Sequence, residues 1–440
     1  MTPTDSTPEA ASAPPQTLDR VRALDAEDPL KRFRDMFLFP MTDRKQDLYF
    51  VGNSLGLQPK NTAAAVTAVL DQWHQLGVRG HFEGNPPWID YPESLNDGMA
   101  SIVGARPHEI VVMNTLTVNL HLMLATFFQP SGKRCKVLLE DHAFPSDHQA
   151  ISSHLQVRGC EPKESMIIVQ PEATTGLLST DAVVDQIRQH RDVLALVMLP
   201  GLQYYTGQVL DMRRITEAAH EYEIPVGFDL AHAAGNIPLQ LHDWNIDFAC
   251  WCTYKYLNSG PGALGACFIH ERHAEDTGRN RLAGWWGHER TSRFQMAPEF
   301  IPPPTAMGWQ LSNPPILSLA ATDASLRLFR EAGGMEPLRK KSLQMNRFFR
   351  AELEKELGDR VRVVTPPEPD QHGCQLSLEI QHEGTSGRAT YDQLELCSVR
   401  TDWREPNVIR AAPVPLYNTF TEIARFVQIL KSCLNGAPRR

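Results

Sequence analysis

Short apolar runs separated by stretches of helical period set the pattern of this chain. Segments 110–113, 136–139, 166–169, 193–199, 226–228, 248–252 and 264–269 are nearly continuous runs of apolar and β-branched residues, bounded by turn formers. Between most of them apolar residues recur at helical spacing, as in 118–128, 181–190 and 212–222. Runs of the first kind suit strands buried on both faces. Their alternation with helices predicts right-handed crossovers and an α/β domain built on a mostly parallel seven-stranded sheet flanked by helices. No helical pattern separates the last two runs, so one strand is expected to be antiparallel. Ahead of the sheet, 61–76 reads as a helix capped by Asn61 and closed by Gly77. Segment 81–91, with Gly84, Pro86 and Pro87, reads as a loop.

A proline-rich stretch at 298–304, with Pro314 and Pro315 after it, divides this region from the C-terminal third of the chain. There the pattern predicts helices over 317–330, 340–357 and 421–434, with strands near 361–364, 374–380 and 408–411. The expected organisation is a large domain over 61–316 and a smaller α+β C-terminal domain over 317–440. Segment 18–60 is expected to pack with the small domain. Segment 1–17 is rich in Pro, Ser, Thr and Ala and is expected to be a disordered tail.

At 440 residues the chain exceeds one typical core, which fits two domains with a site between them. A formal net charge of −9 argues against nonspecific nucleic-acid binding, which needs basic surface. The eight cysteines form no CxxC pair and no metal-like cluster with histidine, and several lie inside apolar runs; no metal is expected, and a reducing, cytoplasmic compartment is. The N-terminus has neither a basic start nor an apolar core, and no apolar run approaches the ~18 residues of a membrane span, so neither leader nor membrane association is expected.

Two charged residues change the picture. Asp229 closes the run from Pro225, and Lys255 closes the run from Asp247. Either alone is an ordinary strand-boundary residue. Together, at the carboxyl ends of neighbouring parallel strands, they face one crevice of the kind where α/β sheets bind ligands. A lysine amine can be linked to an aldehyde and then act as a base, and a carboxylate can keep a pyridine nitrogen protonated so that the ring withdraws electrons. That pair of functions points to pyridoxal 5'-phosphate (PLP), with Asp229 on the ring nitrogen and Lys255 as anchor and base. Leu116 and Thr117, at the start of a predicted helix, offer free amides and a dipole suited to the phosphate.

The blocks Asn53-Ser-Leu-Gly, Phe144-Pro-Ser-Asp, Tyr204-Tyr-Thr-Gly-Gln, Phe228-Asp-Leu-Ala-His, Thr253-Tyr-Lys-Tyr, Gly284-Trp-Trp-Gly-His and Ser312-Asn-Pro-Pro-Ile carry a resemblance. In order and over nearly the whole chain, they resemble the kynureninase family of fold-type I PLP enzymes. The resemblance implies hydrolysis of the Cβ–Cγ bond of kynurenine or 3-hydroxykynurenine to alanine and anthranilate or its 3-hydroxy form, in tryptophan breakdown. It implies that His232 sits beside the cofactor ring, that Tyr254 touches the phosphate and is able to donate a proton, and that Phe144 stacks on the ring. Pro145 and Ser146 share that cofactor-binding block, and Asp147 supplies a second carboxylate.

By the same resemblance Trp285 and Asn313 reach the phosphate from a neighbouring subunit, making the active unit a homodimer. Arg410 takes the substrate α-carboxylate, a task that suits a planar guanidinium. His81, Ser312 and Asn313 are similar to the animal-type enzymes that favour the 3-hydroxylated ring. At Pro200, where some relatives carry a serine near the phosphate, this chain has no hydroxyl to offer.

Two other readings compete. A cysteine desulfurase-like PLP lyase would place a histidine before the lysine, where this chain has Tyr254, and would need a reactive cysteine on a mobile loop. The string Gly260-Pro-Gly-Ala-Leu-Gly265 spells a dinucleotide fingerprint, but it contains Pro261 and runs into a strand pattern rather than a helix, so it reads as a tight turn.

Overall fold

The computed structural model describes residues 15–381, 384 and 386–436. Its central element is a seven-stranded sheet formed by β1 (Ile110–Met113), β2 (Lys136–Glu140), β3 (Met166–Val169), β4 (Leu194–Pro200), β5 (Val226–Asp229), β6 (Phe248–Cys252) and β7 (Gly265–Ile269). The spatial order is β1-β7-β6-β5-β4-β2-β3. The strand β7 runs antiparallel to both its neighbours and the remaining pairs are parallel, as the missing helix between the last two runs predicts.

Successive side chains point to opposite faces and feed two separate apolar layers. Ile110 and Val112 join one cluster while Val111 and Met113 join the other. Strands buried on both sides need apolar residues at every position, which is why they read as runs rather than alternations.

Helices α1 (Pro15–Glu27) and α2 (Asn61–Leu76) precede the sheet, and α3 (Leu116–Phe127), α4 (Pro145–Val157), α5 (Thr180–His190) and α6 (Met212–His220) link its strands. Ser179 accepts from the Ala182 amide and Asp211 from the Arg214 amide, which sets the starts of α5 and α6. The C-terminal part of the chain carries α7 (Ile316–Glu331), α8 (Met335–Leu357), α9 (Gly387–Leu396) and α10 (Phe420–Leu434), and buried apolar residues of α7 join a cluster of the seven-stranded sheet. The antiparallel sheet of this part contains β8 (Val361–Val363), β9 (Leu376–Ile380), β10 (Asp402–Arg404) and β11 (Val408–Ala411), in the order β8-β9-β11-β10. Residues 48–49 pair in parallel with 399–400, and Val21 lies in the apolar cluster shared by α8, α10 and this antiparallel sheet.

Several sequence expectations need correction. Asn61 is the first helical residue, not the cap; its side-chain amide donates to the Ala324 carbonyl at 3.0 Å and ties α2 to α7. Within 81–91 the chain is not all loop: Gly80–Glu83 makes a helical turn against Trp88, and Tyr91–Ser94 begins another. The strand β10 is not expected from sequence, because Asp-Trp-Arg is too short and polar to show a period, and the helix α9 is a further element beyond the expected ones. Of the expected N-terminal tail, 1–14 lies outside the described residues, and α1 begins at Pro15 rather than after 17. Gly260 and Gly262 take positive φ in a turn that leads directly into β7, which agrees with the tight-turn reading. Among the described residues no helix is long and apolar enough to cross a membrane.

Close packing at β5 depends on one glycine. A Cβ at Gly227 would lie 2.0 Å from Phe248 Cζ, and Phe248 is itself stacked on Phe127 at 4.6 Å between centroids. Gly227→Ala is therefore expected to destabilise the fold by about 1–3 kcal/mol through overpacking. Urea unfolding checks this, and an unchanged midpoint would contradict the packing described.

Candidate active site

The carboxyl ends of β4, β5 and β6 open into a cavity of about 360 Å³ lined by Asp229, His232, Lys255, Phe144, Tyr204 and Thr117 among others. Asp229 is the last residue of β5, and its partner in parallel register on β6 is Cys250. The chain leaves β6 through Thr253 and Tyr254, which brings Lys255 back over the same opening. Lys255 Nζ lies 2.9 Å from His232 Nε2 and 5.9 Å from the centroid of the Phe144 ring. Asp229 Oδ1 accepts from the Ala231 amide at 2.7 Å, which orients the carboxylate toward the cavity floor.

Burial governs the protonation of this floor. It pushes Asp229 upward, while the Ala231 amide and the Lys255 ammonium pull back. Asp147, in the first turn of α4, is pushed well above the carboxylate range by burial and then by the Asp229 charge. The two carboxyl groups hydrogen-bond to one another, with the proton favoured on Asp147 and the anion on Asp229. Glu140, at the end of β2, is a third buried carboxyl, raised to about 7 by burial and held by Gln203 at 3.2 Å.

His232 is held well below its ordinary range by burial and by Lys255, so its ring is neutral. A neutral ring that accepts at Nε2 carries its hydrogen on Nδ1, and that buried Nδ1 has no partner among the described residues. Burial also pushes the Tyr254 phenol upward, with Cys252 next in effect.

The expected residues divide into two groups. Leu116 and Thr117, with Thr115, line the cavity at the N-terminus of the twelve-residue helix α3, beside Phe144, Ser146, Asp147 and Tyr254. Pro145 opens α4 but does not line the cavity. His81, Trp285, Ser312 and Asn313 do not line it either. His81 packs edge-on against Trp88, and the Trp285 indole donates to the Arg293 carbonyl at 3.1 Å.

Arg410 is also set back from the cavity. Its guanidinium is fully buried, donating to the Tyr204 carbonyl at 2.8 Å and to Asp402 at 2.7 Å, and Arg404 lines the cavity instead. Asn53, Ser54, Tyr204, Arg404 and Glu140 received no role from sequence. The first three sit in blocks that carry the family resemblance, which was a usable signal; Arg404 and Glu140 carry none. Pro200 does line the cavity, so the hydroxyl missing there is missing from the site.

Glu109, His242 and His270 bring three metal-ligand types together. The facing atoms already have partners within the protein, Glu109 in the Arg106 and Glu271 amides, His270 in the Arg272 amide and His242 Nδ1 in Glu109 at 2.9 Å, so the cluster reads as a structural hub.

These features fit PLP. A buried anion waits on the floor for a ring nitrogen, an amine stands opposite for an aldehyde, an orphan histidine donor lies between them, and a helix N-terminus faces the same space for a phosphate. Fold and site together define a fold-type I PLP enzyme of the class-V aminotransferase type, and the family model described as Aminotransferase class-V matches residues 48–383. The model described as Kynureninase C-terminal domain matches 338–430. The chain belongs to the kynureninase family, and its cofactor is PLP.

The kynureninase of Xanthomonas campestris pv. campestris (strain B100) is 51% identical over 414 residues, covering 94% of this chain and 97% of that protein. That of Xanthomonas oryzae pv. oryzae (strain PXO99A) is 51% identical over 405 residues, covering 92% and 95%. Among solved structures, a C-DES mutant with glycine covalently linked to the PLP cofactor superposes with a TM-score of 0.75 at 18% identity, covering 88% of this chain and 96% of that one. A cysteine desulfurase from Thermococcus onnurineus NA1 gives 0.73 at 16% identity, covering 98% and 100%. At such identities the likeness is one of fold alone, and the desulfurase-like alternative has no other support.

Proposed function

We propose that this protein hydrolyses the Cβ–Cγ bond of L-kynurenine or 3-hydroxy-L-kynurenine, releasing L-alanine and anthranilate or 3-hydroxyanthranilate, within tryptophan catabolism and the supply of NAD precursors. The observation that carries the reading is Lys255 Nζ, 2.9 Å from a neutral His232 and facing the Asp229 carboxylate in one cavity. When bound, PLP supplies the electron sink that stabilises carbanions at Cα and Cβ of the substrate.

The chain supplies the rest. Asp229 holds the ring-nitrogen proton, and Asp147, carrying its own proton, hydrogen-bonds to Asp229 and keeps it in place. Leu116 and Thr117 present amides to the phosphate. Lys255 would hold the aldehyde, and its amine would serve as the base that moves protons at Cα of the substrate. Tyr254, its phenol kept protonated, donates a proton on the same side. Phe144 excludes water from one ring face, and Arg410 holds the α-carboxylate.

The active unit in this proposal is a homodimer in a reducing, cytoplasmic compartment. Its support is a surface patch in which Phe82 and Trp285 both pack against Phe294 at 5.8 and 5.6 Å between centroids, although Phe82 is 59% and Phe294 51% exposed. That patch includes Trp285 and adjoins His81, two of the residues absent from the chain's own cavity. A second copy seated there would place them, with Ser312 and Asn313, near its cavity. All eight cysteines are free thiols, in keeping with that compartment.

Anthranilate fluorescence on adding kynurenine to the PLP-loaded protein tests the activity, and its absence at saturating substrate would refute it. Preference for the 3-hydroxylated ring is tested by kcat/KM on both substrates with His81→Ala and Asn313→Ala. The ratio is expected to fall about tenfold toward kynurenine, because polar partners of the hydroxyl are lost; equal losses on both substrates would remove His81 and Asn313 from specificity.

A further inference from the structure

One carboxylate is shared by two arginines, Arg404 in the cavity wall and Arg410 buried behind it. Asp402 on β10 lies opposite Arg410 on β11 in antiparallel register. Its Oδ2 accepts from Arg410 Nη2 at 2.7 Å and from Arg404 Nη2 at 3.2 Å, while Oδ1 lies 3.1 Å from Arg404 Nε. Arg410 is 1% exposed, and its Nε has no partner among the described residues. Arg404 is 35% exposed and forms part of the cavity wall. Tyr204 joins the two to the site: its carbonyl accepts from Arg410, its ring lies 5.8 Å from the Arg410 guanidinium carbon, and its side chain lines the cavity.

We propose that Asp402 is a positioning residue that holds Arg404 and Arg410 as a two-guanidinium seat for the substrate α-carboxylate. The inference rests on the assignment of Arg410 to that carboxylate and adds Asp402 and Arg404 to it. The reason is charge balance. Two guanidiniums and one carboxylate leave one positive charge over at a cavity wall whose inner member, Arg410, is fully buried, and a single amino-acid carboxylate completes the neutralisation.

Without Asp402 the two cations repel. The buried Arg410 has no room to leave, whereas Arg404, on a short edge strand and part exposed, has solvent to turn to. The seat would then lose its second member and the fixed orientation of its first. An asparagine preserves the shape and some hydrogen bonding but not the charge, so it isolates the counter-ion role.

The test uses the PLP-loaded full-length enzyme with Asp402→Asn, Asp402→Glu, Arg404→Gln and Arg410→Gln, on kynurenine and on its decarboxylated analogue kynuramine as a competitive ligand. Asp402→Asn and Arg404→Gln are each expected to raise KM for kynurenine by about tenfold, with a smaller fall in kcat, and to leave kynuramine binding unchanged. The double variant should be little worse than either single one, and Asp402→Glu should recover most of the affinity.

If Asp402→Asn fails to bind cofactor or to melt cooperatively, Arg404→Gln at its part-exposed site decides. KM within about twofold of wild type in both Asp402→Asn and Arg404→Gln, or equal weakening of kynurenine and kynuramine, overturns the proposal while Arg410→Gln still loses kynurenine. If Arg410→Gln loses nothing, the reading of Arg410 itself fails, and the inference with it.

Discussion

Lys255→Ala is expected to lower kcat by at least about a thousandfold and to abolish covalent retention of PLP after borohydride treatment. The cavity offers no substitute, since Lys255 is the one amine among the described residues that line it. Its nitrogen is held by His232 Nε2, which burial keeps neutral and able to accept. The variant should still take up cofactor, because the α3 N-terminus and Asp229 are untouched, so absorbance separates a lost base from a lost site. Small exogenous amines should restore part of the rate, as they do wherever a positioned lysine serves mainly as a proton carrier. Turnover within about tenfold of wild type would remove Lys255 from the chemistry.

Asp229→Asn should be the second most damaging change, costing about a hundredfold to a thousandfold in kcat/KM, while Asp147→Asn should cost clearly less. The difference arises from where the shared proton lies. Asp229 is the anion of the pair, stabilised by the Ala231 amide, and only an anion there keeps a ring nitrogen protonated. Asp147 already carries a proton, so an amide in its place can still donate to Asp229 and removes no charge. Kinetics of the two variants side by side, with the cofactor absorbance of each, would decide the assignment. A larger loss in Asp147→Asn would place the anion on the wrong residue of the pair.

Much of the large domain is legible in the chain alone, for a local reason. A strand buried on both faces must be apolar throughout, so β1 to β7 appear as runs, and a charged residue that ends such a run stands out. Asp229 and Lys255 are conspicuous in this way. The antiparallel β7 is legible too, because a crossover needs length and none is present between 252 and 265. Helix starts are less certain: Asn61 has the chemistry of a cap but spends its amide on Ala324 in another helix, a partner sequence spacing does not reveal.

The sequence by itself determined the class of chemistry: a lysine and an aspartate at adjacent strand ends, a helix start suited to phosphate, and motif blocks matching one family. Only the tertiary structure decided how those groups are charged and oriented. The proton shared by Asp147 and Asp229, the neutrality of His232, the burial of Glu140 and the joint hold of Asp402 on Arg404 and Arg410 arise between residues far apart in the chain. Each depends on desolvation and on distances of a few ångströms, which the pattern of polar and apolar positions does not encode. The same holds for His81, Trp285, Ser312 and Asn313, whose place outside the chain's own cavity is a property of the folded surface.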